Sequence, residues 1–384
     1  MREAIFLIAL GSVNGGLALR IMEPMLPRLA TQFGTSISAT AMVITAFAVG
    51  YAGGQLLHGP IGDRFGKLRV VTICLLGAAA ASLGCALAQG VASLATLRFV
   101  AAVFASASTV LGLAYIGDRV PIAERQPVVA RFVGGTIIGQ ALGPLAGGLF
   151  TDLIGWRGTF VVVAAVFAVV SSILFLRTRG QWAGAARAPS GGNPFAVYVR
   201  VLALPRVRLV VSTGFADGFL FFGAYSFLGA FLKLKFDLSL TAIGAILAGF
   251  GVGGVLYTLV VRRLLVSLGQ RGLVLWGGAI CCIAYATIAL SPTWVLAIPC
   301  TVALGFSFFM LHNTGQTKAT EMAPQARGAG VSVYTSAWSL GQAAGVAAMG
   351  LAVSFVDYAP AIIGFGLGFL ALGAWMRANL DRLS

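Results

Sequence analysis

Two carboxylic acids stand inside stretches otherwise too apolar for water. Glu23 sits in Leu19-Arg20-Ile21-Met22-Glu23-Pro24, and Asp217 in Gly214-Phe215-Ala216-Asp217-Gly218. A buried ionisable group is costly, so it is either paired or put to use. Arg20 precedes Glu23 by three residues, which makes them neighbours on a helix and able to pair. A carboxyl so placed can also take up and release a proton, with burial and the nearby Arg pulling its affinity in opposite directions. Asp217 has parallel readings: a proton or substrate carboxylate, or a group that caps a local break or pairs with a base from another element. His312, in Met310-Leu311-His312-Asn313, titrates near neutrality and can relay protons, or it closes a helix with an ordinary hydrogen bond. After Asp217 come Phe219, Phe221, Phe222, Tyr225 and Phe227, an aromatic series able to form an apolar binding surface. Phe219, Phe222 and Tyr225, together with His312 and Asn313, are the candidates for lining a substrate cavity.

Several chemistries are excluded. No phosphate-cradling glycine loop, nucleophile elbow or metal-ligand spacing occurs. The five cysteines (Cys74, Cys85, Cys281, Cys282 and Cys300) all fall in apolar stretches and read as small buried thiols. An integral-membrane enzyme should gather several His, Asp or Glu at one depth, but the two histidines lie on separate stretches. The sequence therefore describes no enzyme, metal site or cofactor, and any work must be driven by ion or substrate gradients.

The elements that hold these residues are membrane spans. Of 384 residues, 59% are hydrophobic and 10% charged, with a mean hydropathy of +0.95. That leaves too little polar surface for a soluble domain. A span needs about 20 apolar residues. Suitable stretches lie at 4–27, 37–58, 69–89, 92–116, 126–150, 158–177, 208–232, 240–261, 272–291, 293–313, 328–354 and 358–376. With the N-terminus inside, 20 Lys and Arg fall on the cytoplasmic side and 5 outside, while Arg20 lies within a span. Short-loop bias of this kind sets orientation. The net charge of +15 is thus a topology signal and not a nucleic-acid footprint. Residues 4–19 read as the first span, because no small-residue cleavage site precedes Pro24.

A polar stretch rich in Arg, Gly and Pro divides the chain into bundles at 1–178 and 208–384, with 179–207 as a cytoplasmic linker. A repeat supports the division. Gly139-Gln140-Ala141-Leu142-Gly143 recurs as Gly341-Gln342-Ala343-Ala344-Gly345, and the same offset of 202 carries Arg125 onto Arg327 and Trp156 onto Tyr358. Internal duplication marks transporters that rock one bundle against another about a central site.

Local motifs add a family resemblance. The segment Gly59-Pro60-Ile61-Gly62-Asp63-Arg64-Phe65-Gly66-Lys67-Leu68-Arg69 reads as a tight turn with one acid among three bases. It resembles the signature loop of the major facilitator superfamily, with Leu68 where a second base is usual. That resemblance implies a cytoplasmic latch between the bundles, with Asp63 and Arg64 forming and breaking it. Gly59, Gly66, Lys67, Arg69, Arg125, Glu321 and Arg327 would complete the cluster. Gly139, Gly143 and Gly147 share one helical face, with Pro144 bending it and Gly148 beside it. The run is similar to the Gly-x-x-x-Gly-Pro-x-x-Gly-Gly element of the family's drug/proton antiporters; otherwise it is a packing groove with no transport direction in it. The acid before Pro24 partly matches the acid-Pro-x-Leu-Pro of drug exporters. Arg98, in Leu97-Arg98-Phe99-Val100, matches the family's proton-linked Arg alone, or it is an interfacial anchor that snorkels outward.

The resemblance implies an all-α integral membrane fold of twelve helices in two pseudo-symmetric six-helix bundles around a cavity. It implies proton-coupled efflux of small amphipathic molecules by a monomer in the bacterial inner membrane, both termini cytoplasmic, with Glu23, Asp217, Arg98 and Arg20 as coupling candidates. Protons, a small-molecule substrate and the lipid bilayer are then the partners, with no nucleic acid. Symport or facilitated uptake of a metabolite such as a sugar or organic acid is the alternative.

Overall fold

The computed structural model describes residues 2–182 and 196–383, without the side chains of Ile122, Ala123, Arg125, Gln126, Pro127, Ala130, Pro324 and Arg327. Residues 183–195 of the expected linker, and the side chains of the latch candidates Arg125 and Arg327, therefore lie outside the described residues.

In chain order the helices are α1 (Arg2–Arg20), α2 (Leu26–Phe33), α3 (Ile37–Phe65), α4 (Lys67–Ala86), α5 (Val91–Arg119) and α6 (Ile122–Thr178). The second half holds α7 (Ala196–Ala203), α8 (Pro205–Phe236), α9 (Leu240–Leu290), α10 (Ala297–Glu321), α11 (Arg327–Val356) and α12 (Tyr358–Leu383). Among the described residues no strand occurs. Lipid offers no hydrogen bonds, so only helices with their backbone satisfied internally suit such a sequence. Among the described residues, ten helical stretches are long and apolar enough to span a bilayer.

Two of these are hairpins. α6 is interrupted at Gly155 (φ +75°) and α9 at Gly269 (φ +63°), left-handed conformations that glycine adopts without steric cost. In α6, Gly139 packs on the Val13 carbonyl while Asn14 Nδ2 donates to Val163 O at 3.2 Å. Residues 139 and 163 thus flank the same turn of α1, which a straight helix could not allow. In α9, Gly253 and Gly277 likewise flank α10, against the carbonyls of Val302 and Ser307. With each hairpin counted as two, the described residues supply the twelve crossings expected from hydropathy.

The two halves repeat in space as they do in sequence. A Cβ on Gly139 would meet Val13 O at 2.0 Å, and one on Gly341 would meet Phe215 O at 2.0 Å. Gly143 and Gly345 face the carbonyls of Leu17 and Phe219 in the same way. The carbonyl partners obey the offset of 202 found between the glycines. In a bilayer, where burying apolar surface gives helices no advantage, such backbone-to-backbone approach is what holds them together.

Two seams join the halves. α3 meets α11 through Thr45 Oγ1 donating to Ala343 O and Ser336 Oγ to Ala52 O, both at 3.3 Å. α6 meets α9 where Gly244 packs on Pro144 O and Gly148 on Leu240 O. Asp152 then caps α9, accepting from Thr241 N at 2.8 Å and Oγ1 at 2.7 Å. These contacts lie between the middle of the spans and the face opposite the chain termini, called the far face below.

Four expectations need correction. The first span is not one helix: α1 stops at Arg20, a 3-10 turn covers Glu23–Met25, and α2 follows. Pro24 and Pro27 lack the amides that would continue α1, yet each suits a first helical turn. The expected turn at 59–69 is instead mostly helix, because α3 runs through Pro60 to Phe65 and only Gly66 (φ +91°) reverses the chain. α10 continues to Glu321, so His312 lies well inside it and is no helix terminus. Hydropathy marks where lipid ends, whereas a helix satisfies its own backbone and runs on past that point. Finally, the expected linker carries a helix, α7, ahead of α8.

Candidate functional site between the two halves

The break after α1 sets the first half of the site. Arg20 and Glu23 are both buried, with Nη1 3.1 Å from Glu23 Oε1. Arg20 also reaches across to the second half: its guanidinium lies 3.5 Å from the Phe222 ring centroid, and Nη2 donates to Gln342 Oε1 at 3.5 Å. A desolvated cation over an aromatic face adds attraction of about 2 kcal/mol. Phe222 stands 202 residues after Arg20, so the two occupy equivalent places in the repeat. Gly229 of α8 packs against the backbone of Glu23.

Arg98 lies in the same layer and is 2% exposed. It does not snorkel. Its Nη2 donates to Ala18 O at 2.8 Å and its guanidinium covers the Phe47 ring at 3.8 Å. The end of α1 leaves carbonyls without helical partners, and a cation there satisfies one and complements the helix dipole.

The second acid is paired as well. Asp217 Oδ2 meets His312 Nδ1 at 2.5 Å, linking α8 to α10. The imidazole stacks on Phe308 and lies beside Trp338, with centroids 4.8 and 5.3 Å apart. Trp338 in turn contacts Phe222 edge-on at 5.5 Å. One continuous path therefore runs from Glu23 through Arg20, Phe222, Trp338 and His312 to Asp217.

Along this path the Trp338 indole lies against the Asp217 carboxyl, while Glu23 Oε2 and Gln342 Nε2 make no hydrogen bond. Trp338 and Gln342 are four apart on α11 and share one face toward both acids. The sequence reading missed Trp338, although it stands one turn before the Gly-Gln repeat that was singled out.

The other candidates are scattered. Phe222 and Tyr225 are buried at the centre, and Tyr225 donates to Leu247 O at 2.7 Å. Phe219 turns away, stacking on Phe365 of α12 at 5.6 Å and on Phe215 at 6.2 Å. Its ring packs toward α12 whereas Phe222, about 60° round the helix, meets Arg20, so the aromatic series does not line one surface. Asn313 lies beside Tyr257 of α9, not beside Asp217. His58 is a structural histidine held by Ser106 and Cys74.

At the terminal face, the ion pairs of the described latch candidates fall within one half, and Gly59 also faces the Tyr198 hydroxyl of α7. Lys67 Nζ lies 3.0 Å from Asp63 and 2.5 Å from Asp118, Arg64 covers Phe65, and Glu321 meets Lys318 at 3.6 Å. Asp63 is 61% exposed, so Asp63→Asn should change stability by less than about 1 kcal/mol. Thermal unfolding in detergent checks this; a larger loss would mean that the pair is structural.

The profile of the Major Facilitator Superfamily matches residues 8–346. The chain belongs to that superfamily of transporters. It is 25% identical over 350 residues to the uncharacterized MFS-type transporter YceJ of Bacillus subtilis (strain 168), covering 90% of this chain and 88% of the relative. Over a shorter stretch of 137 residues it is 32% identical to the efflux pump FUB11 of Gibberella fujikuroi, covering 36% of this chain and 24% of that protein. Among solved structures it resembles a peptide transporter, POT (TM-score 0.77, 16% identity, 99% of this chain and 95% of the other). It also resembles a bacterial homolog of the human lysosomal transporter Spinster (TM-score 0.74, 17% identity, 100% and 97%). The fold is thus a multi-pass membrane transporter of two six-helix bundles.

Proposed function

We propose that the chain exports small amphipathic molecules in exchange for protons, by alternating access of a central site to the two faces of the membrane. The observation that carries this reading is the pair of buried acids, each bound to a base, on a path between the halves. Glu23 neutralises Arg20 when ionised. Once protonated, it leaves Arg20 with its charge and with contacts to Phe222 and Gln342 of the other half, so proton binding favours a different packing of the halves. A ligand shifts a conformational equilibrium only through such differential interactions. Asp217 and His312 offer a second place where a proton can be held and passed.

The surroundings fit an amphipathic cargo. In the first half, Ser12 bonds Thr109 and Thr136 at 2.7 Å each and Tyr51 meets Thr109 at 3.0 Å, a wall of hydroxyls. The second half presents aromatic rings. Uptake of a polar metabolite would call for free bases at the centre, and Arg20 is instead tied to Glu23. By the Lys and Arg bias the terminal face is cytoplasmic, so the closed far face would correspond to a cytoplasm-facing state in the bacterial inner membrane.

Transport by the purified chain in proteoliposomes, with and without an imposed pH gradient, tests the reading against a panel of amphipathic compounds and metabolites. Gradient-driven accumulation should disappear in Glu23→Gln and in Asp217→Asn, with non-driven exchange retained. Equal transport without the gradient and in both variants would end the antiport reading, and co-movement of substrate and protons would replace it with symport.

A further inference from the structure

The break in α9 has a counterpart at the end of α3. Ser36 and Ser239 each cap a helix by accepting from the amide three residues on, Ala39 N and Ala242 N. Each helix then reaches a left-handed glycine, Gly66 or Gly269. The two turns are copies of one element, 203 residues apart. At the first copy two acids serve the turn, with Lys67 held between Asp63 and Asp118. At the second copy Val266 takes the place of Asp63, and it is 90% exposed.

The bases at the second turn are correspondingly short of acids. Of Arg262, Arg263 and Arg271, only Arg271 has an acidic partner among the described residues, Asp381 of α12 at 2.6 Å. Arg377, one turn before Asp381, has no ion pair or hydrogen bond among the described residues. Between α9 and α12 lies a cavity of about 530 Å³, lined by Ser267, Arg271, Gly272, Trp276 and Arg377 among others.

We propose that this cavity binds the phosphate of an anionic phospholipid headgroup. Guanidinium groups present paired donors that match phosphate oxygens. The second segment of α9 begins here, so its first amides are free of helical partners and suit an anion. The cavity also lies at the membrane boundary. Trp276 is 53% exposed beside it, an amphipathic ring of the kind found at headgroup level. Leu265 and Val266 are exposed on the approach and need an apolar neighbour, which acyl chains supply and a soluble anion does not. Basic pockets between spans near a positively charged face are where anionic headgroups settle.

Native mass spectrometry of the full chain in detergent, with phosphatidylglycerol or phosphatidylethanolamine added at equal concentration, tests the site. Phosphatidylglycerol adducts should exceed the zwitterionic ones, and should fall about tenfold in Arg377→Ala, the scale of one lost charge-assisted contact. Arg377→Lys should retain part of the binding, and Arg179→Ala, exposed on the same face, all of it. Equal adducts with both lipids, or no loss in Arg377→Ala, would overturn the proposal. So would displacement of the lipid by millimolar inorganic phosphate, which would make this a soluble-anion site. Should Arg377→Ala fail to fold, quenching in the native chain decides. Brominated phosphatidylglycerol should quench Trp276 more than brominated phosphatidylethanolamine does, with Trp276→Phe removing the difference; equal quenching would overturn the assignment.

Discussion

Glu23→Ala is expected to lower the stability of the folded protein by about 3–5 kcal/mol, because it leaves the buried Arg20 cation without its counter-charge. The size of that effect comes from desolvation. Arg20 is 2% exposed and Glu23 fully buried, so neither can recruit water when the other is removed. The guanidinium would keep the Phe222 ring and the amide oxygen of Gln342, which soften the loss without carrying a negative charge. Removing both charges should cost far less: Arg20→Met with Glu23→Leu should recover most of the stability, since replacing a whole buried pair by apolar groups of like volume is often neutral. The same double variant should have no proton-driven transport through this pair, separating a structural role from a coupling role. Denaturant titration in detergent gives the stabilities of the two singles and the double. If the double variant is no more stable than Glu23→Ala, the interaction is not a closed pair, and Arg20 is held chiefly by the second half.

The sequence was most informative where a signal repeats or where polarity alone decides. Span count and the offset of 202 reappear in the packing, and the offset extends to residues that no motif marked, such as Val13 and Phe215 as carbonyl partners of Gly139 and Gly341. The pairing of Arg20 with Glu23 was legible because it is local, three residues along one chain segment. The pairing of Asp217 with His312 was not, since the two are 95 residues apart and nothing in either segment names the other. Arg98 shows a different limit. Its position at the start of an apolar stretch fits a snorkelling anchor as well as a buried group, and only the carbonyl that the break in α1 exposes at Ala18 decides the matter. The aromatic series after Asp217 misled for a geometric reason: Phe219 lies about 60° round α8 from Phe222, enough for Phe219 to stack on Phe365 of α12 while Phe222 meets Arg20. Helix ends were missed wherever polar residues continue a helix beyond lipid, as in α3 and α10.

Gly148→Val should abolish transport by holding the far face open. A Cβ at Gly148 would lie 2.0 Å from Leu240 O and 2.6 Å from its carbonyl carbon, which are backbone atoms of the other half at the start of α9. No rotamer change can relieve a clash with backbone, so α6 and α9 must separate. One turn further on, Asp152 caps the same helix start through Thr241, and separation breaks that cap as well. Overpacking of this kind costs up to about 3 kcal/mol, which moves an equilibrium between far-face-closed and far-face-open forms by about 150-fold. The fold of each half should survive, because Gly148 faces the seam, whereas Gly139 and Gly143 face α1 and Gly147 faces Ile21 just after it, within the first half. Gly134→Ala is the control: it lies in the same helix with nothing within 4 Å of an added Cβ, and should transport normally. Spin labels at Arg28→Cys and Asp237→Cys, on the far-face ends of the two halves, should report a longer distance in Gly148→Val than in the parent chain. An unchanged distance with normal transport would show that the antiporter-like glycine run is a packing groove only, and that the α6–α9 seam is not a gate.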